Sequence, residues 1–184
     1  MILREKGLTK KGRRRLLYLS LGLAAFVILA DQITKLLVRS RIAAWASVPE
    51  EGAFRLTHVQ NSGSAFGLFP SQTVILAIAS LVAIVGLVMA LRYQPLRNGW
   101  ANAALGLLLG GSIGNLVDRL RLGYVTDFID IGQPHGWRFY TFNIADSAIT
   151  VGSILMAITI LLLGRHATQE ATPPETPPDP VEGK

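Results

Sequence analysis

The sequence predicts an all-α integral membrane protein in which four transmembrane helices carry a small extracytoplasmic sheet. Three observations predict it. Half of the 184 residues are hydrophobic and only 16% are charged, far from the balance of an ordinary soluble domain. Four stretches approach the ~20 apolar residues needed to cross a bilayer: Leu16 to Val38, Thr73 to Leu91, Trp100 to Val117 and Ile144 to Leu163. Between them, residues 54–60, "FRLTHVQ", and 124–131, "YVTDFIDI", alternate apolar and polar with the period of a strand.

Residues 1–15 hold seven of the eighteen Lys and Arg. So uneven a distribution is a topological signal before it is a nucleic-acid footprint, and no nucleic-acid partner is expected. A basic head followed by an apolar run also resembles a secretory signal. The helical pattern continues through "DQITKLLV", however, and three more spans follow, so a retained anchor is the better reading. With the head in the cytoplasm, segments 39–72 and 118–143 lie outside, while 92–99 and the tail lie inside. The inside regions then carry eleven Lys and Arg and the outside regions six. Trp45, Tyr93, Trp100, Trp137 and Tyr140 fall near span ends, as interfacial aromatics should. Sheet edges are costly in lipid, so the strands belong at or above the interface. The tail, 164–184, has five prolines and little apolar content, and is expected to be disordered and cytoplasmic.

Five acids fall at or near the outer ends of the spans: Asp31, Asp118, Asp127, Asp130 and Asp146. Charge at that depth is expensive and faces a bundle interior or a water-filled site. Asp31 and Lys35 are one helical turn apart, which suits a structural ion pair. In "GGSIGNLVDRLRLGY", Gly110, Gly111 and Gly114 allow close approach of a helix or a ligand. Asn115 and Asp118 follow on the same face, and Arg119 is placed to hold polar groups. Strand alternation sets Asp127 beside Val125, Ile129 and Ile131, with Asp130 on the opposite side. An apolar setting disfavours an ionised carboxylate, so Asp127 is the better candidate for proton transfer. In "FNIADSAI", Asn143 and Asp146 have the spacing of a capping box, which alone would explain an acid at the head of a helix.

Two carboxylates brought together share a proton, so that one activates water while the other donates to a carbonyl. Other chemistries lack their residues. There is no cysteine, and His58, His135 and His166 have no metal spacing, so neither a metal nor a cofactor is expected and chelators should have no effect. There is no G-x-S-x-G elbow and no P-loop. Ser112, Ser147 and Ser153 read as helix-packing residues.

The stretches "DQITK", "NSGSAFGLF", "GGSIGNLVDRLRLGYVTDFID" and "FNIADSAITVG", in this order on four spans, resemble the lipoprotein signal peptidases, or signal peptidase II. The resemblance covers residues 16–163. It implies an aspartic endopeptidase of the bacterial cytoplasmic (inner) membrane, with both termini cytoplasmic and the active site outside. The implied substrates are prolipoproteins, cut before a cysteine that carries a diacylglyceryl group, with membrane lipid around them; globomycin is the implied inhibitor. The family's catalytic aspartates fall on Asp127 and Asp146. Asn61, Gly111, Asn115, Asp118, Arg119 and Asn143 match positions that support the site or hold substrate. The implied fold adds a β-cradle and a helix lying on the membrane. Two other classes stand against this reading. A proton-relaying transporter would put acids near the bilayer midplane on broken helices. A non-catalytic assembly factor would survive loss of either aspartate.

Overall fold

The chain folds around one helix. In the computed structural model, which describes residues 9–63, 72–93 and 98–170, the elements are α1 (Lys10–Arg41), β1 (Ser47–Val48), β2 (Phe54–Asn61), α2 (Thr73–Tyr93), α3 (Gly99–Leu122), β3 (Val125–Ile131) and α4 (Ile144–Glu170). All four helices are long and apolar enough to span a membrane. α3 packs against each of the other three.

Small residues put α3 there. A Cβ on Gly106 or Gly110 would sit 2.6 to 2.8 Å from backbone oxygens of Ser20 and Ala24 on α1, and one on Gly111 would sit 2.5 Å from the Ala145 oxygen of α4. Only glycine lets these backbones approach so closely. The helix is also defined at both ends. Asn98 accepts a hydrogen bond from Trp100 N at 2.8 Å, and Gly123 closes it in the left-handed conformation with φ 77. The outer helices turn large apolar side chains outward, among them Phe26, Leu29, Val74, Ile78, Ile154 and Leu161, as lipid-facing surfaces do. Trp45, Trp100, Trp137 and Tyr140 are exposed near the ends of the bundle.

The strands form an antiparallel sheet in the order β1-β2-β3. Both predicted strands are present, and the two-residue β1 joins them. Val59 pairs with Asp127 and Asn61 with Val125, past an irregularity between Leu56 and Val59. The sheet is not open on one face: Phe128 of β3 packs with Val38 and Ile42 of the α1 end, so β3 is buried on both sides. Beyond β3 the chain folds back, with Phe139 N donating to Ile131 O at 2.8 Å and Phe142 N to Ile129 O at 3.1 Å. That return delivers Asn143 and the head of α4 to the middle of β3.

Two expectations meet different outcomes. The segment expected to be disordered from residue 164 begins as helix, because α4 continues to Glu170. No proline occurs between Ile144 and Thr172, and Arg165, Ala167, Gln169 and Glu170 extend an existing helix at little cost. The membrane-lying helix has no counterpart among the described elements; residues 64–71, which include most of "NSGSAFGLF", the loop residues 94–97 and the tail from 171 fall outside them.

Candidate active site

Asn143 organises the site because it works in two directions. As N-cap of α4 its Oδ1 accepts from Asp146 N at 2.8 Å, and its own N–H donates to Asp146 Oδ2 at 3.3 Å. This is the reciprocal box that the local spacing predicts. Its Nδ2 meanwhile donates to Asp127 Oδ1 at 2.6 Å. The other oxygen of Asp127 accepts from Asn61 Nδ2 of β2 at 2.8 Å, and Asp146 Oδ1 accepts from Asn115 Nδ2 of α3 at 2.7 Å. Each of the four carboxylate oxygens therefore has an amide donor, two from Asn143, one from β2 and one from α3.

Both carboxylates line one cavity of about 310 Å³, with Asn61, Asn115 and Arg119. The returning segment roofs it with Phe139, Tyr140, Thr141 and Phe142, and α4 adds Ser147, Thr150 and Val151. Burial, and after it the neighbouring charge of Asp146, pushes the Asp127 carboxyl up to about 7 against the opposing pull of its amide hydrogen bonds. A dyad holding one proton near neutral pH can act as base and acid together.

Beneath the dyad lies a buried ionic cluster. Lys35 Nζ reaches Asp31 Oδ2 at 2.8 Å, with both side chains fully buried. It also reaches Asp118 Oδ2 at 3.2 Å and Asn115 Oδ1 at 2.9 Å, which occupies all three donors of the ammonium. Asp31 Oδ1 accepts from Ala145 N at 3.0 Å, satisfying a donor that the head of α4 would otherwise leave orphaned. Asp118 Oδ2 accepts from Thr126 N at 3.0 Å, so a helix carboxylate fastens the backbone next to Asp127. The expected pair of Asp31 and Lys35 is thus part of a larger network. Asp118 pairs with Lys35, and at 3.8 Å with Arg39, rather than with its sequence neighbour Arg119, whose side chain is in the cavity.

Gly111 is the contact between α3 and α4 below the site and does not line the cavity. Asp130 is remote from it: Arg55 Nε donates to it at 2.8 Å, Thr57 Oγ1 at 2.8 Å and Arg138 Nε at 2.7 Å. Burial pushes its carboxyl up, but these hydrogen bonds outweigh burial and hold it below the ordinary carboxylate range. Ser147, read above as a packing residue, opens onto the cavity, and the signal was available, since Ser147 and Val151, like Asp146 and Thr150, are one turn apart on the helix. Gln32 lies in "DQITK", which by itself assigns it no role; its Nε2 donates to Gly114 O at 3.1 Å and Asp118 Oδ1 at 3.2 Å. Among the described residues no group of three or more His, Cys, Asp or Glu is arranged to hold a metal ion.

Residues 23–162 match the family described as signal peptidase (SPase) II. The chain is 39% identical over 155 residues to the lipoprotein signal peptidase of Dehalococcoides mccartyi, an alignment that covers 81% of this chain and 92% of that one. It is 42% identical over 142 residues to the lipoprotein signal peptidase of Moorella thermoacetica, covering 76% and 91%. Its fold is similar to that of a bacterial membrane enzyme solved by the in meso method, with a TM-score of 0.71 at 31% identity over 85% of this chain and 93% of that one. A second bacterial membrane enzyme solved in the same way gives 0.67 at 32% identity, over 77% and 92%.

Proposed function

The chain belongs to the signal peptidase II family, a family of proteases, and from that premise we propose that it is a membrane aspartic endopeptidase. Its substrates are bacterial prolipoproteins, from which it removes the signal peptide by cutting on the N-terminal side of the diacylglyceryl-modified cysteine. One observation carries the reading: Asp127 and Asp146 line the same cavity, each held by a side-chain amide.

Water bound between the two carboxylates loses a proton to the ionised one as its oxygen attacks the scissile carbonyl carbon. The protonated partner gives its proton to the carbonyl oxygen, which forms a neutral gem-diol. The carbon–nitrogen bond then breaks as a carboxyl proton passes to the departing amine and a diol proton returns to the dyad. The amides of Asn61, Asn143 and Asn115 hold the carboxylates in register, so little reorganisation is needed at the moment of reaction. Arg119 adds positive charge to the cavity and offers donors to substrate carbonyls.

The substrate's acyl chains stay in lipid while its peptide enters beside Phe139 and Tyr140. The dyad faces the extracytoplasmic side of the inner membrane and both termini are cytoplasmic, a reading supported by the basic residues at the start of the chain. The test is cleavage of a diacylglyceryl-modified prolipoprotein in detergent by wild type, Asp127→Asn and Asp146→Asn. Wild type should cut before the modified cysteine and be blocked by globomycin, while both variants should stay folded and lose at least about 10³-fold in rate. Normal turnover by either variant would remove the dyad from the mechanism, and an inactive wild type would favour the assembly-factor reading.

A further inference from the structure

A larger cleft, of about 820 Å³, lies at the other end of the bundle. α1 and α2 both pack on α3 and make little contact with each other, so the groove between them stays open. Its mouth is cationic, with Lys10, Arg13, Arg14 and Arg92, and its depth is apolar, with Leu17, Leu21 and Leu91 among the walls. On α1 these residues form one stripe: positions 10, 13, 14, 17 and 21 share a helical face. Charge occupies the first turn and leucine the turns after it. Arg13 Nη2 donates to Arg92 O at 2.6 Å, so one guanidinium bridges the groove and caps the last turn of α2. Neither α1 nor α3 has an acid in its first turn.

We propose that this groove binds one anionic phospholipid, with its phosphate among Lys10, Arg13, Arg14 and Arg92 and an acyl chain along Leu17 and Leu21. Basic pockets between transmembrane helices suit anionic headgroups. The axial order of charge and leucine matches a molecule with an anionic head and an apolar tail. A free phosphate would leave the leucine wall unused, and a basic segment of a substrate would be repelled. The chain's own tail carries acids at Glu175, Asp179 and Glu182 but has little to set against leucine. Arg13 and Asp31 are eighteen residues apart on α1. At ~1.5 Å per residue the groove is about 27 Å from the ionic cluster, close to the ~30 Å of a hydrocarbon core, so headgroup and dyad occupy opposite interfaces.

The full-length protein in neutral detergent would be titrated with phosphatidylglycerol, phosphatidylcholine and inorganic phosphate, and bound ligand counted by native mass spectrometry. One phosphatidylglycerol should bind saturably, with phosphatidylcholine and phosphate at least about tenfold weaker. Arg14→Gln and Arg92→Gln should each weaken it about fivefold. Lys11→Gln with Arg15→Gln removes two charges from the adjacent face of α1 and should change affinity by less than about twofold. Leu21→Trp fills the apolar half without altering charge and should also weaken binding, which covers the case of an arginine variant that fails to fold. Equal losses in the on-face and off-face variants would reduce the effect to diffuse charge and overturn the proposal. So would phosphate binding as tightly as lipid, or lipid binding only after residues 171–184 are removed, which would make the tail the occupant.

Discussion

Two aspartates three residues apart on one strand are pushed in opposite directions because their neighbours differ. Asp127 meets amides and a second carboxylate, and its carboxyl is raised to about 7; Asp130 meets two guanidinium groups and a hydroxyl, and its carboxyl is lowered. A raised carboxyl keeps its proton up to its own pKa and loses it above, so catalysis that needs one shared proton should fall on an alkaline limb near pH 7. The pH dependence of kcat/KM checks this, and a flat profile from pH 6 to 9 would contradict it. Asp130→Asn removes ionic hydrogen bonds but touches nothing in the cavity. It should retain most of the activity while costing about 1–3 kcal/mol of stability, seen as a lower Tm. Alternation in "YVTDFIDI" was enough to separate the two residues, because side-chain direction in a strand is local. Asn61, the donor to Asp127, was nameable only through the motif resemblance, since its contact depends on how β2 pairs with β3.

At the scale of elements, the position of α4 decides whether the dyad exists. Its head is held by its own capping box and by Asp31 from α1, while its flank rests on the bare backbone of Gly111. Gly111→Ala should force the helices apart at Ala145. The expected cost is about 1–3 kcal/mol together with a large loss of kcat, because Asp146 follows Ala145 directly. Thermal unfolding and turnover measured on the same preparation check it, and wild-type values for both would show the contact to be slack. The capping box was legible because its two members lie three residues apart. The partner of each small residue was not, since a glycine pattern announces close approach without saying which helix approaches.

For the molecule as a whole, Lys35 is the joint through which α1 and α3 hold the site, with α4 tied to it through Asp31. Lys35→Met would leave Asp31 and Asp118 buried without their cation, and removing one member of such a cluster costs about 3–5 kcal/mol. Unfolding of the variant in mixed detergent checks this; stability equal to wild type would show that the cluster does not depend on its cation. The four spans, the two main strands, the turn-spaced pair of Asp31 and Lys35 and the box at Asn143 were all legible in the chain before it folds. Each of these follows from hydrophobic period or from contacts within one turn of helix. It took the folded packing to reveal that Asp118 serves Lys35 and Thr126 rather than Arg119, that Asn115 links the cluster to Asp146, and that a returning segment roofs the cavity. Those contacts join residues far apart in the chain, and their partners are chosen by the packing of α1, α3 and α4, which local pattern does not encode.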